Sequence, residues 1–265
     1  ANLGTITFNG AVNITNDGNV VFNAGNITFN SSLTLNFTSG DMDVRSGNVT
    51  FAGTPTVNSL VFGNGDLLLN DNTLTLQQGV LGTNQPANDF ATVGTGAPTD
   101  ASHVVGTVIK FIDRTDGVLR SNVSFPTGNG DVYRPLTLFF PTAPASDLTL
   151  TVDYTDGTPG GTNGLPFNNG VGGEITAYPD FYWTVDSDVT LDAGTQFGLS
   201  LAGNGYQGTE TGETSFIVDD YEDVRIIRRF DGNAANLWRL QSGAAATYDN
   251  ALAADSSITA TVQGA

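Results

Sequence analysis

The sequence predicts an all-β protein: N-terminal β-solenoid-like or meander repeats followed by an immunoglobulin-like β-sandwich. Three observations predict it. Charged residues make up only 14% of the 265-residue chain, and 33 glycines with abundant Asn and Thr take their place. That composition suits short strands and tight turns and lacks the Ala, Glu, Lys and Leu runs that build helices. Short apolar triplets recur through residues 3–82, and from residue 131 the apolar runs lengthen to the spacing of a two-sheet sandwich. At 39% hydrophobic residues, there is enough apolar surface for a packed core, which argues against wholesale disorder.

The first region, residues 1–123, opens with the triplets Ile6-Thr7-Phe8, Val20-Val21-Phe22, Leu33-Thr34-Leu35, Val49-Thr50-Phe51, Leu60-Val61-Phe62 and Leu74-Thr75-Leu76. They stand roughly a dozen residues apart, a spacing of solenoid or meander units rather than helices. Asn9-Gly10, Asp17-Gly18, Ser39-Gly40 and Ser46-Gly47 lie between them, and Asn and Gly accept the positive φ that such turns need. Alternation in Thr5-Ile6-Thr7-Phe8 and Asn26-Ile27-Thr28-Phe29 makes one face apolar and the other Asn/Thr. Stacked strands of this kind bury a thin core; a sandwich of hairpins is the competing arrangement. Residues 79–103 read as a long polar connection, and 104–112 as a strand.

Residues 124–135 form a Gly- and Asn-rich turn bracketed by prolines, the hinge into the second region, 124–265. Strands are expected there at 133–140, 148–154, 173–178, 181–185, 197–201, 223–230, 237–240 and 257–262. Between them 157–173 is too rich in breakers for a regular element, and 244–254 is the one stretch with weak helical character.

Charge narrows the function. The net charge is -18, with a single lysine, Lys110. Such a surface repels phosphate backbones and anionic membranes, so no nucleic-acid partner is expected. No stretch reaches the roughly 20 apolar residues of a membrane span. Without cysteine, disulfides, thiolate catalysis and zinc-thiolate sites are excluded. The start Ala1-Asn2-Leu3 has the look of a mature terminus left by signal cleavage.

Candidate chemistry is sparse. Arg134, between Tyr133 and Pro135, is expected to tie the 128–131 loop through carbonyls or Asp131 rather than anchor a ligand. Carboxylates gather at Asp219/Asp220/Glu222/Asp223, Asp186/Asp188/Asp192 and Asp153/Asp156. Calcium is the one ion whose six to eight oxygen ligands such loops could supply, but none has EF-hand spacing, so no cofactor is expected. Lone His103 has no nucleophile motif beside it and reads as structural. The sequons at Asn13, Asn26, Asn30, Asn36, Asn48 and Asn122 follow from Asn turns beside Thr-rich strands. Tyr178, Phe181, Tyr182, Trp183 and Trp238 read as sandwich core, with a sugar-stacking platform as the sharper alternative. Arg225, Arg228 and Arg229 are expected to face acidic neighbours.

Val105-Gly106-Thr107-Val108-Ile109-Lys110, then Phe125-Pro126-Thr127-Gly128-Asn129-Gly130 and Tyr133-Arg134-Pro135-Leu136-Thr137-Leu138, resemble a segment of secreted, cell-surface β-repeat proteins of Bacteroidota and related phyla. Tyr182-Trp183, Val224 to Arg229 and Leu237-Trp238 resemble the β-sandwich that follows it there. The resemblance implies export, a place at the cell surface or in the matrix, and no catalytic residue.

The ends supply candidate assembly strands. Thr5, Ile6, Thr7 and Phe8 at one end, and Ile258, Thr259, Ala260, Thr261 and Val262 at the other, form alternating segments. Each could complete its own sheet or be donated to the open edge of a neighbouring subunit. The expectation is a secreted, non-enzymatic structural protein that assembles with itself into a fibre, matrix or surface scaffold. A carbohydrate-binding or adhesin module, with extracellular polysaccharide as partner, is the alternative; a polysaccharide-degrading enzyme with convergent carboxylates comes third.

Overall fold

The computed structural model describes residues 4–14, 20–23, 25–31, 33–35, 41–53, 56–57, 59–76, 90–91, 102–112, 114, 123–130, 132–168, 174–176, 178, 180–191, 196–202, 207–208, 216–217, 226–230, 235–240, 247–248 and 257–263. These residues are all β, with no α-helix among them.

Strands β1 (Ile6–Phe8), β2 (Val12–Ile14) and β3 (Val20–Asn23) open the chain, followed by β4 (Ile27–Phe29), β5 (Leu33–Leu35) and β6 (Asp41–Ser46). Then come β7 (Val49–Phe51), β8 (Thr56–Val57), β9 (Ser59–Asn64), β10 (Leu67–Leu76), β11 (Phe90–Ala91) and β12 (Val104–Ile112). Every pairing among these twelve is parallel. Ile6 lies beside Ile27, Ile27 beside Val49, and Val49 beside Leu67. On a second run, Val20 lies beside Met42 and Met42 beside Leu60. Each strand therefore pairs with one about three elements further on, not with its chain neighbour. Hairpins cannot produce that pattern, because parallel neighbours need a crossover.

Alternation explains why the strands stack. Ile27, Phe29, Val49 and Phe51 point inward and are buried, with Thr28 and Thr50 between them half-exposed. Identical positions in successive strands superpose, so Phe8, Phe29 and Phe51 stack with ring centroids 4.9 and 5.2 Å apart. A second column runs beside the first. Asn26 Oδ1 accepts from Asn48 N (3.2 Å), Asn48 Oδ1 from Asp66 N (3.1 Å), and Asp66 Oδ1 from His103 N (3.1 Å). β10 turns a corner at Asn70, which holds a positive φ of 48°. Asn72 Nδ2 donates to Leu69 O there (2.8 Å), satisfying the bend locally.

The pairing changes hand after β12. The later strands are β13 (Val123–Phe125), β14 (Leu136–Phe139), β15 (Leu148–Asp156), β16 (Phe167–Asn168), β17 (Glu174–Ile175), β18 (Phe181–Ser187) and β19 (Gln196–Ala202). The short β20 (Gln207–Gly208), β21 (Phe216–Ile217), β22 (Ile227–Arg228), β23 (Arg239–Leu240) and β24 (Thr247–Tyr248) precede β25 (Ser257–Gln263). All pair antiparallel. β12 takes part in both regimes, parallel to β10 and antiparallel to β15. One sheet thus runs β1-β4-β7-β10-β12-β15-β18, beside a five-stranded sheet β13-β14-β19-β25-β24. A single core of buried residues, from Phe22 to Val152, follows the long sheet across the change.

Several expectations are corrected here. Residues 133–135 precede the strand at Leu136–Phe139, because Tyr133 bridges back to Gly128. The strands expected at 173–178, 223–230 and 237–240 shrink to two residues each among the described positions. Within 157–173, Phe167–Asn168 does form a strand, and Thr247–Tyr248 within the weakly helical stretch is a strand too. In the connection at 79–103, Phe90–Ala91 pairs with β9.

Candidate functional site

The near end of the parallel stack is β1. Ile6 N donates to Asn26 O, and Phe8 O accepts from Asn30 N, so the backbone groups of Ile6 and Phe8 face β4. Alternation along a strand then turns those of Thr5, Thr7 and Asn9 away from β4. Among the described residues no strand pairs on that side. Side-chain exposure agrees: Ile6 is 44% and Phe8 39% exposed, while Ile27 and Phe29, at the same positions one strand further in, are 4% and 2%. This end has the chemistry of the interior without its cover.

At the far end, the edge of β12 is covered. Val104 N donates to Pro126 O (2.8 Å) and Gly128 N to Val104 O (3.1 Å), so residues 126–128 add a further parallel rung on the start of β12. β15 covers the rest of that strand. His103, fully buried, ends the amide column, with Nδ1 3.4 Å from Asp66 Oδ1 and Nε2 against the Asn129 carbonyl. Thr127 Oγ1 donates to Arg134 O (2.9 Å), Arg134 N donates to Thr127 O (2.8 Å), and Trp183 Nε1 donates to Arg134 O (3.0 Å). Buried Lys110 donates to Ser124 O (3.1 Å) and lies 5.7 Å from the Phe125 ring. The only lysine and the only histidine are both spent on this junction.

Arg134 has further contacts beside the turn. Its backbone holds the turn, but its guanidinium sits 5.1 Å over the Phe181 ring and hydrogen-bonds Tyr154. A guanidinium is weakly hydrated enough to prefer an aromatic face. Asp131 lies outside the described residues. Burial pushes Tyr133 up to about 12. Tyr154 is raised by burial and by Asp156, against the opposing pull of Arg134.

Among the described residues Arg229 meets carbonyls and a ring, and Arg228 a ring. Arg229 donates to Pro159 O (2.7 Å) and Gly160 O and lies 4.8 Å over Trp238, whose Nε1 donates to Gly161 O (2.9 Å). Arg228 lies 4.5 Å over Phe230; burial and the nearby Arg239 charge lower its pKa. Together these contacts clasp the 157–163 loop. Arg225 lies outside the described residues.

The aromatics meet at angles. Phe181 and Trp183 are at 88°, Tyr154 and Trp183 at 61°, and Tyr178 and Trp238 at 36°. A sugar-stacking platform needs coplanar exposed faces, which none of these pairs offers.

The carboxylates are dispersed into backbone and side-chain bonds. Asp153 accepts from Thr107 Oγ1 (3.1 Å), Asp156 from Asn129 Nδ2 (2.6 Å), and Asp188 from Thr149 N (2.7 Å). Asp192, Asp219, Asp220, Glu222 and Asp223 lie outside the described residues. Among those described, no three His, Asp or Glu side chains gather as a metal would need, and no helix is long and apolar enough to cross a membrane.

Of the candidate assembly strands, Ile6, Thr7 and Phe8 form the uncovered β1. Ile258 to Val262 lie in β25, paired along its length with β19 from Ser257↔Ala202 to Gln263↔Gln196. β24 pairs on its other side. Sequence reasoning missed the amide column, although Asn26, Asn48, Asp66 and His103 each stand immediately before an apolar strand. No family model, curated protein or solved structure matches the chain.

Proposed function

We propose that this protein is an extracellular structural subunit, a self-assembling component of a fibre, matrix or surface scaffold. In this reading the parallel stack is a β-solenoid and the antiparallel sheets an immunoglobulin-like sandwich. The observation that carries it is the uncovered β1 end, where Ile6 and Phe8 present core chemistry to solvent. Sheet edges in proteins that stay apart are usually guarded by charge, proline or a bulge. β1 has none of these. A surface carrying -18 keeps such a protein soluble until edges meet. The way Lys110, His103, Arg134, Arg229 and both tryptophans are committed to holding loops and sheets fits a scaffold, and the acidic composition and the family resemblance support export.

The test is light scattering and electron microscopy of the purified chain across concentration. Assembly that grows with concentration supports the reading. A chain that stays monomeric at the highest soluble concentration, with residues 5–8 resisting proteolysis, contradicts it.

A further inference from the structure

We propose that the near ends of two copies close on each other, β1 against β1, antiparallel across a two-fold axis. This rests on the self-assembly reading and names its partner and geometry. Four observations lead there.

The outward backbone groups of Thr5, Thr7 and Asn9 are a ready edge for another strand. Pairing centred on Thr7 lets each Thr7 exchange both N–H···O bonds with its copy, at a Cα separation of about 5.5 Å. Ile6 of one copy then stands opposite Phe8 of the other, and the two most exposed core-type side chains of β1 are buried together.

Charge selects the occupant. Residues 1–40 contain one of the chain's 27 acidic residues, Asp17, and none of its 9 basic ones. Elsewhere two copies meet like charge; here they do not. At the other end of the strands Asn9 Oδ1 accepts from Asn30 Nδ2 (2.9 Å), which fixes the side chain at the end of the pairing edge.

Topology favours the geometry. At the far end the edge of β12, which continues the sheet of β1, is covered by residues 126–128 and β15, so β1 of one copy has no matching far edge of that sheet to dock on. Two near ends do fit. A contact of this isologous kind closes as a pair, and any larger assembly uses a second contact elsewhere.

The absence of cysteine makes Thr7→Cys a unique attachment point, on an exposed residue, for a nitroxide label. Sedimentation velocity is expected to show a dimer, and frozen-solution electron paramagnetic resonance strong dipolar broadening from two adjacent labels. Thr7→Lys sets like charges opposite each other and raises the dimer dissociation constant at least about tenfold, with the β circular dichroism unchanged. Should Thr7→Lys lose its fold, Thr5→Pro outside the strand removes the N–H that bonds Asn9 of the copy in this register and is expected to weaken the dimer likewise. A monomer at all concentrations overturns the proposal. So does an assembly with unbroadened spectra, which leaves self-assembly standing through another edge. A broadened dimer with nothing larger upholds the pairing and instead sinks the fibre.

Discussion

At the scale of single residues, function and fold meet in groups that sequence inspection undervalues. Gly65 is buried, and a Cβ there would overlap the backbone carbonyl of Gly47 in the adjacent turn of the stack. Backbone cannot swing aside, so Gly65→Ala is expected to cost about 1–3 kcal/mol. Gly198 lies beneath the Phe139 ring, which can rotate away, so Gly198→Ala should cost less; paired thermal melts decide the order. Tyr133 gives a pH signature. Its pKa is raised from 10.0 to about 12, so above pH 10 the unfolded chain loses a proton that the folded chain keeps. Stability from this group is complete below pH 10 and is lost as pH rises towards 12, by about 2–3 kcal/mol. Urea unfolding at pH 9 and 11.5 should show a smaller drop for Tyr133→Phe than for the parent chain. His103 was legible as structural because no nucleophile accompanied it. The direction of the Arg134 side chain was not, because a guanidinium satisfied by Phe181 and Tyr154 looks in sequence like one satisfied by a loop.

At the scale of elements, the parallel stack rests on repetition of two columns. Phe29 is sandwiched between Phe8 and Phe51, with Phe22 edge-on at 5.8 Å. Phe29→Ala should therefore cost about 3–5 kcal/mol. Phe8→Ala, at the uncovered end, should cost clearly less in the monomer, and chemical denaturation compares the two. Asn48 Oδ1 accepts from the N–H of buried Asp66, so Asn48→Ala leaves that donor unpaired and is expected to lose about 1–2 kcal/mol, while the backbone N–H of residue 48 still bonds Asn26. Asn13→Ala on exposed β2 should stay within about 0.5 kcal/mol. The strands themselves were readable where alternation is strict, as in Ile6-Thr7-Phe8 and Val104 to Ile112. Their parallel partnership was harder to read, because several strands intervene between partners and the triplet spacing reports the turns, not the stacking. The strands expected at 223–230 and 237–240 are only two residues long among the described positions, because side-chain clasps onto the 157–163 loop do the holding there, and these leave no periodic trace.

At the scale of the whole molecule, one sheet from β1 to β18 joins a stack that repeats itself to a set of antiparallel strands that does not. At the far end the edge of β12 is finished by residues 126–128 and β15; at the near end no strand among the described residues covers β1. Composition alone pointed to an all-β chain, and the terminal alternation marked β1 as a candidate edge. That β25 is seated between β19 and β24 could not be read from its sequence, since an alternating strand pairs equally well at home or away. The most direct measurement of the central claim is amide hydrogen exchange at Thr5, Thr7 and Asn9 as a function of protein concentration. Protection that rises at these three positions on concentrating the protein, while β4 and β7 stay unchanged, is the result this account predicts. Exchange at the three that is equally fast at every concentration would contradict it.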